Sequence, residues 1–215
     1  PACTEDEQEY LVKFASEYFD TPVTQEQIVW TYSGVRPLYD DGASSATAAT
    51  REYVLSLNQD AAPLLNVFGG KITTYRKLAE AALVKISSAL PNVTSNCTAG
   101  VPLPGGDFAV EDVKQLQAKL ANDYPFLSPY ATRRLIRAYG TEAWEVLGDA
   151  KSAADLGQDF GATITARELD WAIAEEWVRC GEDYLWRRTK LGLRLTENQR
   201  ATVDEYITNQ VANIA

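Results

Sequence analysis

The segment Val67-Phe68-Gly69-Gly70-Lys71-Ile72-Thr73-Thr74-Tyr75-Arg76-Lys77 is a candidate anion site. An apolar strand runs into Gly69-Gly70, and a helical pattern begins at once. Helix N-termini present free amides and a partial positive charge. Acidic residues normally favour a first turn, yet this one carries Lys71, Arg76 and Lys77 in an acidic protein. For Lys71, docking of an electron-rich group and pairing with a nearby acid both stand. For Arg76 and Lys77 the expectation is pairing with nearby acids. The Gly-x4-Gly-Lys-Ser/Thr spacing of a phosphate-binding P-loop is absent. A second candidate is Arg36, in Tyr32-Ser33-Gly34-Val35-Arg36-Pro37-Leu38 at the end of an apolar run. A buried guanidinium there needs an anionic partner, and Asp40 or Asp41 would serve. Arg51, in Thr50-Arg51-Glu52-Tyr53, reads by itself as a surface residue.

The stretch Cys180 to Lys190 combines Trp186, Arg187, Arg188 and Lys190, a set that would suit nucleic-acid or quinone contact. Its structural reading is the stronger one: Glu175 with Arg179 and Asp183 with Arg187 are i,i+4 pairs, and Trp177 and Trp186 read as core anchors. Asp155 and Asp159 are explained as turn and cap residues.

The chain contains no histidine. That excludes Ser-His-Asp and Cys-His catalysis within it and removes the commonest general base. Cys3, Cys97 and Cys180 are dispersed and form no Cys-x-x-Cys, so no metal site is expected and a reducing compartment suits them. Cys180 reads as a small buried hydrophobe in a helical pattern. The net charge is −10, which repels nucleic-acid backbones. No apolar run approaches the roughly 18 residues of a membrane span. No secretion leader is read at the N-terminus, and a start at Pro1 with no methionine anywhere fits a piece of a longer product.

Several elements must position these groups. Thr4-Glu5-Asp6-Glu7 is a capping box opening a helix with Tyr10, Leu11, Phe14 and Tyr18 on one face. Ile28 to Tyr32, Tyr53 to Leu55 and Leu64 to Phe68 read as strands. A helix with Tyr75, Leu78, Ala82 and Ile86 on one face follows Gly69-Gly70. Residues 91–106 are rich in Pro, Gly, Ser, Thr and Asn, and a linker is placed there. Beyond it Val113, Leu116 and Leu120 form a stripe. Ser128-Pro129 starts a helix that Gly140 ends. Thr165 to Glu168 and Thr196 to Gln199 read as further capping boxes, opening helices with Leu169, Ile173 and Trp177 and with Val203, Tyr206 and Ile207. The expected fold class is α+β: a short mixed strand/helix segment (1–90), the linker (91–106), then an all-α helical domain (107–215).

In this order the segments Val29 to Leu38, Thr50-Arg51, Val67 to Glu80, Leu103-Pro104-Gly105-Gly106, Asp155 to Gly161, Glu176 to Arg179 and Leu185 to Gly192 resemble the bacterial FAD-dependent, respiratory glycerol-3-phosphate dehydrogenases. The resemblance runs from about Glu5 to Ile207 and implies a C-terminal portion of a flavoprotein. The Gly-x-Gly-x-x-Gly turn that holds the FAD pyrophosphate in such enzymes has no counterpart here, so the fragment is expected to be inactive and not to retain FAD.

The family oxidises sn-glycerol 3-phosphate to dihydroxyacetone phosphate, passing a hydride from C2 to flavin N5 and electrons to quinone. The resemblance implies Gly69, Gly70, Lys71, Ile72 and Thr73 at the flavin. It implies Arg36 as the catalytic and substrate-binding group, Arg51 on the substrate phosphate and Lys71 at either ligand. The general base would lie outside this chain. The resemblance further implies a cytoplasmic protein peripheral at the inner face of the cytoplasmic membrane, with homodimerisation as one role open to the helical domain. Two rival readings are a stand-alone helical interaction module and a glycerophosphate oxidase that uses oxygen.

Overall fold

A computed structural model describes residues 1–35, 38–40, 42, 52–90 and 97–214. The chain divides into two compact units, Pro1–Val101 and Pro102–Ala215.

In the first unit, α1 (Glu5–Ser16) starts at the Thr4 capping box, where the Thr4 Oγ1 accepts from the Glu7 amide and the Glu7 carboxylate from the Thr4 amide. Strands β1 (Tyr53–Asn58) and β2 (Leu64–Gly69) pair antiparallel, with Tyr53 opposite Gly69 and Asn58 opposite Leu64. A 3-10 turn (Ile72–Thr74) leads into α2 (Tyr75–Ile86). The strand expected at Ile28 to Tyr32 is not formed. No neighbouring strand pairs with it among the described residues, and β propensity without a ladder partner does not hold an extended segment; Trp30 and Tyr32 stack their rings at 5.2 Å instead.

Among its described residues this unit buries no apolar side chain, and its one buried residue is Glu80. The apolar faces read from the sequence are present but open. Tyr10 and Phe14 stack along α1, and Tyr18, just beyond its end, tilts against Phe14, while the three are 65%, 49% and 72% exposed.

The second unit has its own core in two clusters. One gathers Leu120, Leu135, Ile136, Tyr139, Val146 and Leu147 from α3 (Val113–Asp123), α4 (Pro129–Tyr139) and α5 (Ala143–Leu147). The other gathers Phe160, Ile164, Leu169, Ile173, Val178, Tyr184, Val203 and Ile207. Its elements are a hairpin of β3 (Asp159–Gly161) and β4 (Ile164–Thr165), then α6 (Ala166–Glu175), a π-helical turn (Asp183–Arg188) and α7 (Glu197–Ile214). The unit is therefore helical with one small two-stranded insertion, and the molecule has the expected α+β character.

Ser128 caps α4 through the Ala131 amide, with Pro129 in the first turn. Thr196 and Gln199 cap α7 reciprocally. Asp155 accepts from the Lys151 and Ser152 amides, the capping role expected of it.

Around the end of α6 three expectations fail. Trp177 is 82% exposed with φ +59. Helix α6 stops at Glu175, so the helical spacing no longer applies two residues on and Val178 turns into the core instead. Arg179 donates to the Ile173 carbonyl, in the last turn of α6, and to the Val178 carbonyl beyond it, rather than pairing with Glu175. Cys180 is half-buried in the bend after α6, not in a helix.

Gly140 follows α4 with φ 55 and ψ −125, a conformation that disfavours a Cβ. A Cβ placed there would also overlap the Gly105 carbonyl, which itself accepts from the Thr141 amide at 3.0 Å. Gly140→Ala is expected to destabilise the helical unit by about 3 kcal/mol, combining backbone strain with the clash. Urea unfolding followed by circular dichroism checks this, and a loss of only a few tenths of a kcal/mol would contradict it.

Candidate functional site

The Gly-Gly turn joins β2 to α2 with φ +66 at Gly69 and +98 at Gly70. A Cβ on Gly70 would stand 3.3 Å from the Tyr53 Cβ across the hairpin, so glycine allows both the turn and the close approach. No side chain caps the 3-10 start at Lys71 or the α2 start at Thr74, and neither first turn holds an acid. These helix starts thus present positive partial charge with no side-chain cap among the described residues.

The cations around the turn do have partners. Lys71 Nζ lies 3.0 Å from Glu52 Oε1, with side chains 49% and 63% exposed. Such an exposed pair contributes about 0–1 kcal/mol, so it does not prevent Lys71 from exchanging Glu52 for another anion. Arg76 and Lys77 both bind the buried Glu80, at 2.9 and 3.3 Å, as expected for them. The Thr98 hydroxyl also donates to Glu80. That bond is the main reason the Glu80 carboxyl sits below the ordinary glutamate range, with Lys77 and Arg76 adding to it against the opposing effect of burial.

The structure thus brings Gly69, Gly70, Lys71, Ile72 and Thr73 together in one turn. Arg36 and Arg51 lie outside the described residues, as does Asp41. Asp40 accepts from the Gly42 amide. Among the described residues no group of His, Cys, Asp and Glu is placed to hold a metal, and no helix is long and apolar enough to cross a membrane.

The strongest polar constellation was not legible as one. Glu168, expected to cap α6 from Thr165, is 1% exposed and turned into the core. Its Oε1 accepts from Arg134 Nη1, Tyr139 Oη and Tyr184 Oη, each at 2.7 Å, and its Oε2 from Arg134 Nη2 at 2.6 Å. Arg134 also donates to the hydroxyl and carbonyl of Thr163, both at 2.8 Å. Thr163 and Ala162 form the β3–β4 turn with φ of 67 and 48, so Arg134 holds a strained turn as well as the carboxylate. Burial, and then the charge of Glu168, pushes the Tyr139 and Tyr184 phenols well above the ordinary tyrosine range. Every atom of this knot serves another, and it has the character of a structural centre.

Comparison with known proteins places the chain in a family. Residues 96–212 match the family described as the C-terminal domain of alpha-glycerophosphate oxidase, and the chain belongs to it. It is 40% identical over 211 residues to the glycerol-3-phosphate dehydrogenase of Pseudomonas aeruginosa, covering 97% of this chain and 41% of that protein. It is 43% identical over 206 residues to the aerobic glycerol-3-phosphate dehydrogenase of Escherichia coli K12, covering 94% and 41%. The D-erythritol 1-phosphate dehydrogenase of Brucella abortus is 38% identical over 209 residues, covering 97% and 42%. The chain thus spans about two-fifths of the length of the relatives it matches.

Proposed function

We propose that this chain is the C-terminal part of a flavin-dependent dehydrogenase that oxidises sn-glycerol 3-phosphate to dihydroxyacetone phosphate. The observation that carries the reading is the first unit. It presents an uncapped Gly-Gly helix start beside a hairpin, yet among its described residues buries no apolar side chain. Apolar faces left open along α1 and β2 belong in a larger core, and the named relatives extend well beyond the region matched.

The residues present fit one end of FAD. Gly69 and Gly70 would let the ring approach the backbone, and the amides of Lys71, Ile72 and Thr73 would stabilise negative charge gathering on it. FAD held there would supply the acceptor for a hydride from C2 of the substrate. Arg36 would stabilise the substrate oxygen at the reacting carbon. Arg51 would grip the phosphate by a two-pronged guanidinium fork. Lys71, released from Glu52, would add charge at either ligand. The alcohol proton goes to a base from outside this chain, which has no histidine. FAD is held by the intact protein and is not retained by these 215 residues alone. Electrons pass to quinone at the inner face of the cytoplasmic membrane, where the intact protein is peripheral.

The erythritol phosphate relative favours a second reading, in which the substrate is a longer phosphorylated polyol. Steady-state kinetics with an artificial electron acceptor test the residue roles. Arg51→Ala is expected to raise KM about a hundredfold with a smaller change in kcat, and Arg36→Ala to lower kcat about a hundredfold. Reversal of the two effects would exchange the roles; wild-type kinetics in both variants would remove these residues from the site. Oxygen consumption with and without quinone separates a dehydrogenase from an oxidase.

A further inference from the structure

The surface of the helical unit carries an open cleft of about 490 Å³ whose walls include five arginines: Arg133, Arg134, Arg137, Arg188 and Arg194. None of the described residues lining it is acidic. In a chain of net charge −10, where acids outnumber bases by 30 to 20, this is a local reversal of sign.

The five are not equivalent. Arg134 is neutralised by Glu168, and Arg188 Nε is held by Glu176. Arg194 packs over the Tyr130 ring at 5.4 Å. Among the described residues neither Arg194 nor Arg133 nor Arg137 has a carboxylate within ion-pair distance. Arg133 and Arg137 sit four residues apart on α4, a spacing at which like charges repel and weaken a helix by a few tenths of a kcal/mol.

Arg133, Arg137 and Arg194 are exposed at the rim of one concavity with Tyr130 on its wall, so three guanidinium groups without a carboxylate partner stand around a single space where an anion would neutralise them. They suit an oxyanion of two or more charges, which takes paired N–H donors from each planar fork. The volume lies within the range of small-molecule sites and exceeds what a bare phosphate fills. We infer that this cleft binds a small organic molecule carrying a phosphate group, with Arg133, Arg137 and Arg194 gripping the phosphate and Tyr130 and Leu191 lining the space for its body.

The inference rests on the helical unit alone and is independent of the catalytic proposal. Its test is calorimetric titration of the intact protein with inorganic phosphate, pyrophosphate and a nucleoside monophosphate. The uncharged nucleoside serves as control, and phosphatidylglycerol and phosphatidylcholine vesicles form a separate arm. The wild type is expected to bind the phosphorylated probes saturably, more weakly as salt is raised. Arg133→Ala/Arg137→Ala is expected to lose this binding at least tenfold while melting no lower than the wild type, because a repulsion has been removed. Arg133→Lys/Arg137→Lys should recover part of it.

A phosphate-binding substrate site elsewhere in the protein would survive in the alanine variant as a residual site. Its presence or absence reports on the catalytic proposal separately. Unchanged binding in the alanine variant, or no saturable binding by any free probe, would overturn the inference. So would binding to phosphatidylglycerol vesicles alone, which would assign the arginines to a lipid surface.

Discussion

Glu168→Ala is expected to lower the stability of the helical unit by about 3–5 kcal/mol, the range for breaking one partner of a buried ion pair. The loss is large because three groups depend on one carboxylate. Arg134 would be left charged and buried, and the Tyr139 and Tyr184 hydroxyls would lose their acceptor. The Thr163 turn would then rest on a guanidinium that is no longer fixed from its far side. Tyr139→Phe and Tyr184→Phe remove a donor while leaving the ion pair, and should each lower stability by about 1–2 kcal/mol. Urea denaturation of the four proteins gives the comparison. A Glu168→Ala loss below about 1 kcal/mol would mean that the knot contributes little.

Stability is also expected to fall steeply above pH 10. Tyr139 and Tyr184 have phenols raised well above the ordinary value of 10.0, by burial first and by Glu168 second. The unfolded chain therefore sheds these protons near pH 10 while the folded chain keeps them. Their contribution is fully present below pH 10 and declines as pH rises through the window above it. The slope is about 1.4 kcal/mol per pH unit for each buried tyrosine. Tyr206, pushed up to about 12 by burial and its bond to Asp170, acts in the same direction, but its partial exposure makes its share smaller. Melting temperatures measured between neutral pH and pH 11.5 check the sign and the slope. Tyr139→Phe/Tyr184→Phe should flatten the alkaline limb, and an equally steep limb in that double variant would contradict the assignment.

Local signals were readable where one segment decides its own structure. The capping boxes at Thr4 and Thr196 and the Ser128-Pro129 helix start involve partners within four residues, and all formed. Glu168 shows where such reading stops. Thr-x-x-Glu has the same pattern whether the glutamate reaches back to the backbone or turns inward, and its partner Arg134 is 34 residues away. Trp177 was misplaced because helical spacing was carried past the helix end.

The arginine cleft was missed for a related reason. Arg133, Arg134 and Arg137 crowd one short stretch of an acidic chain, a signal available in the sequence, but Arg188 and Arg194 join them only through the packing of the segment after α6. The Gly-Gly turn was legible from its strand-to-helix switch, whereas the chemistry suggested for it came from the resemblance. The open faces of α1 and β2 could not be foreseen, since an amphipathic pattern says which side is apolar and not whether anything covers it.

The most direct test of the flavoenzyme reading is the visible absorption of the intact protein during anaerobic addition of sn-glycerol 3-phosphate. The expected result is a yellow protein whose flavin band bleaches on addition, beside a 215-residue chain that purifies colourless. An intact protein without flavin, or a flavin band that the substrate leaves unchanged, would contradict it.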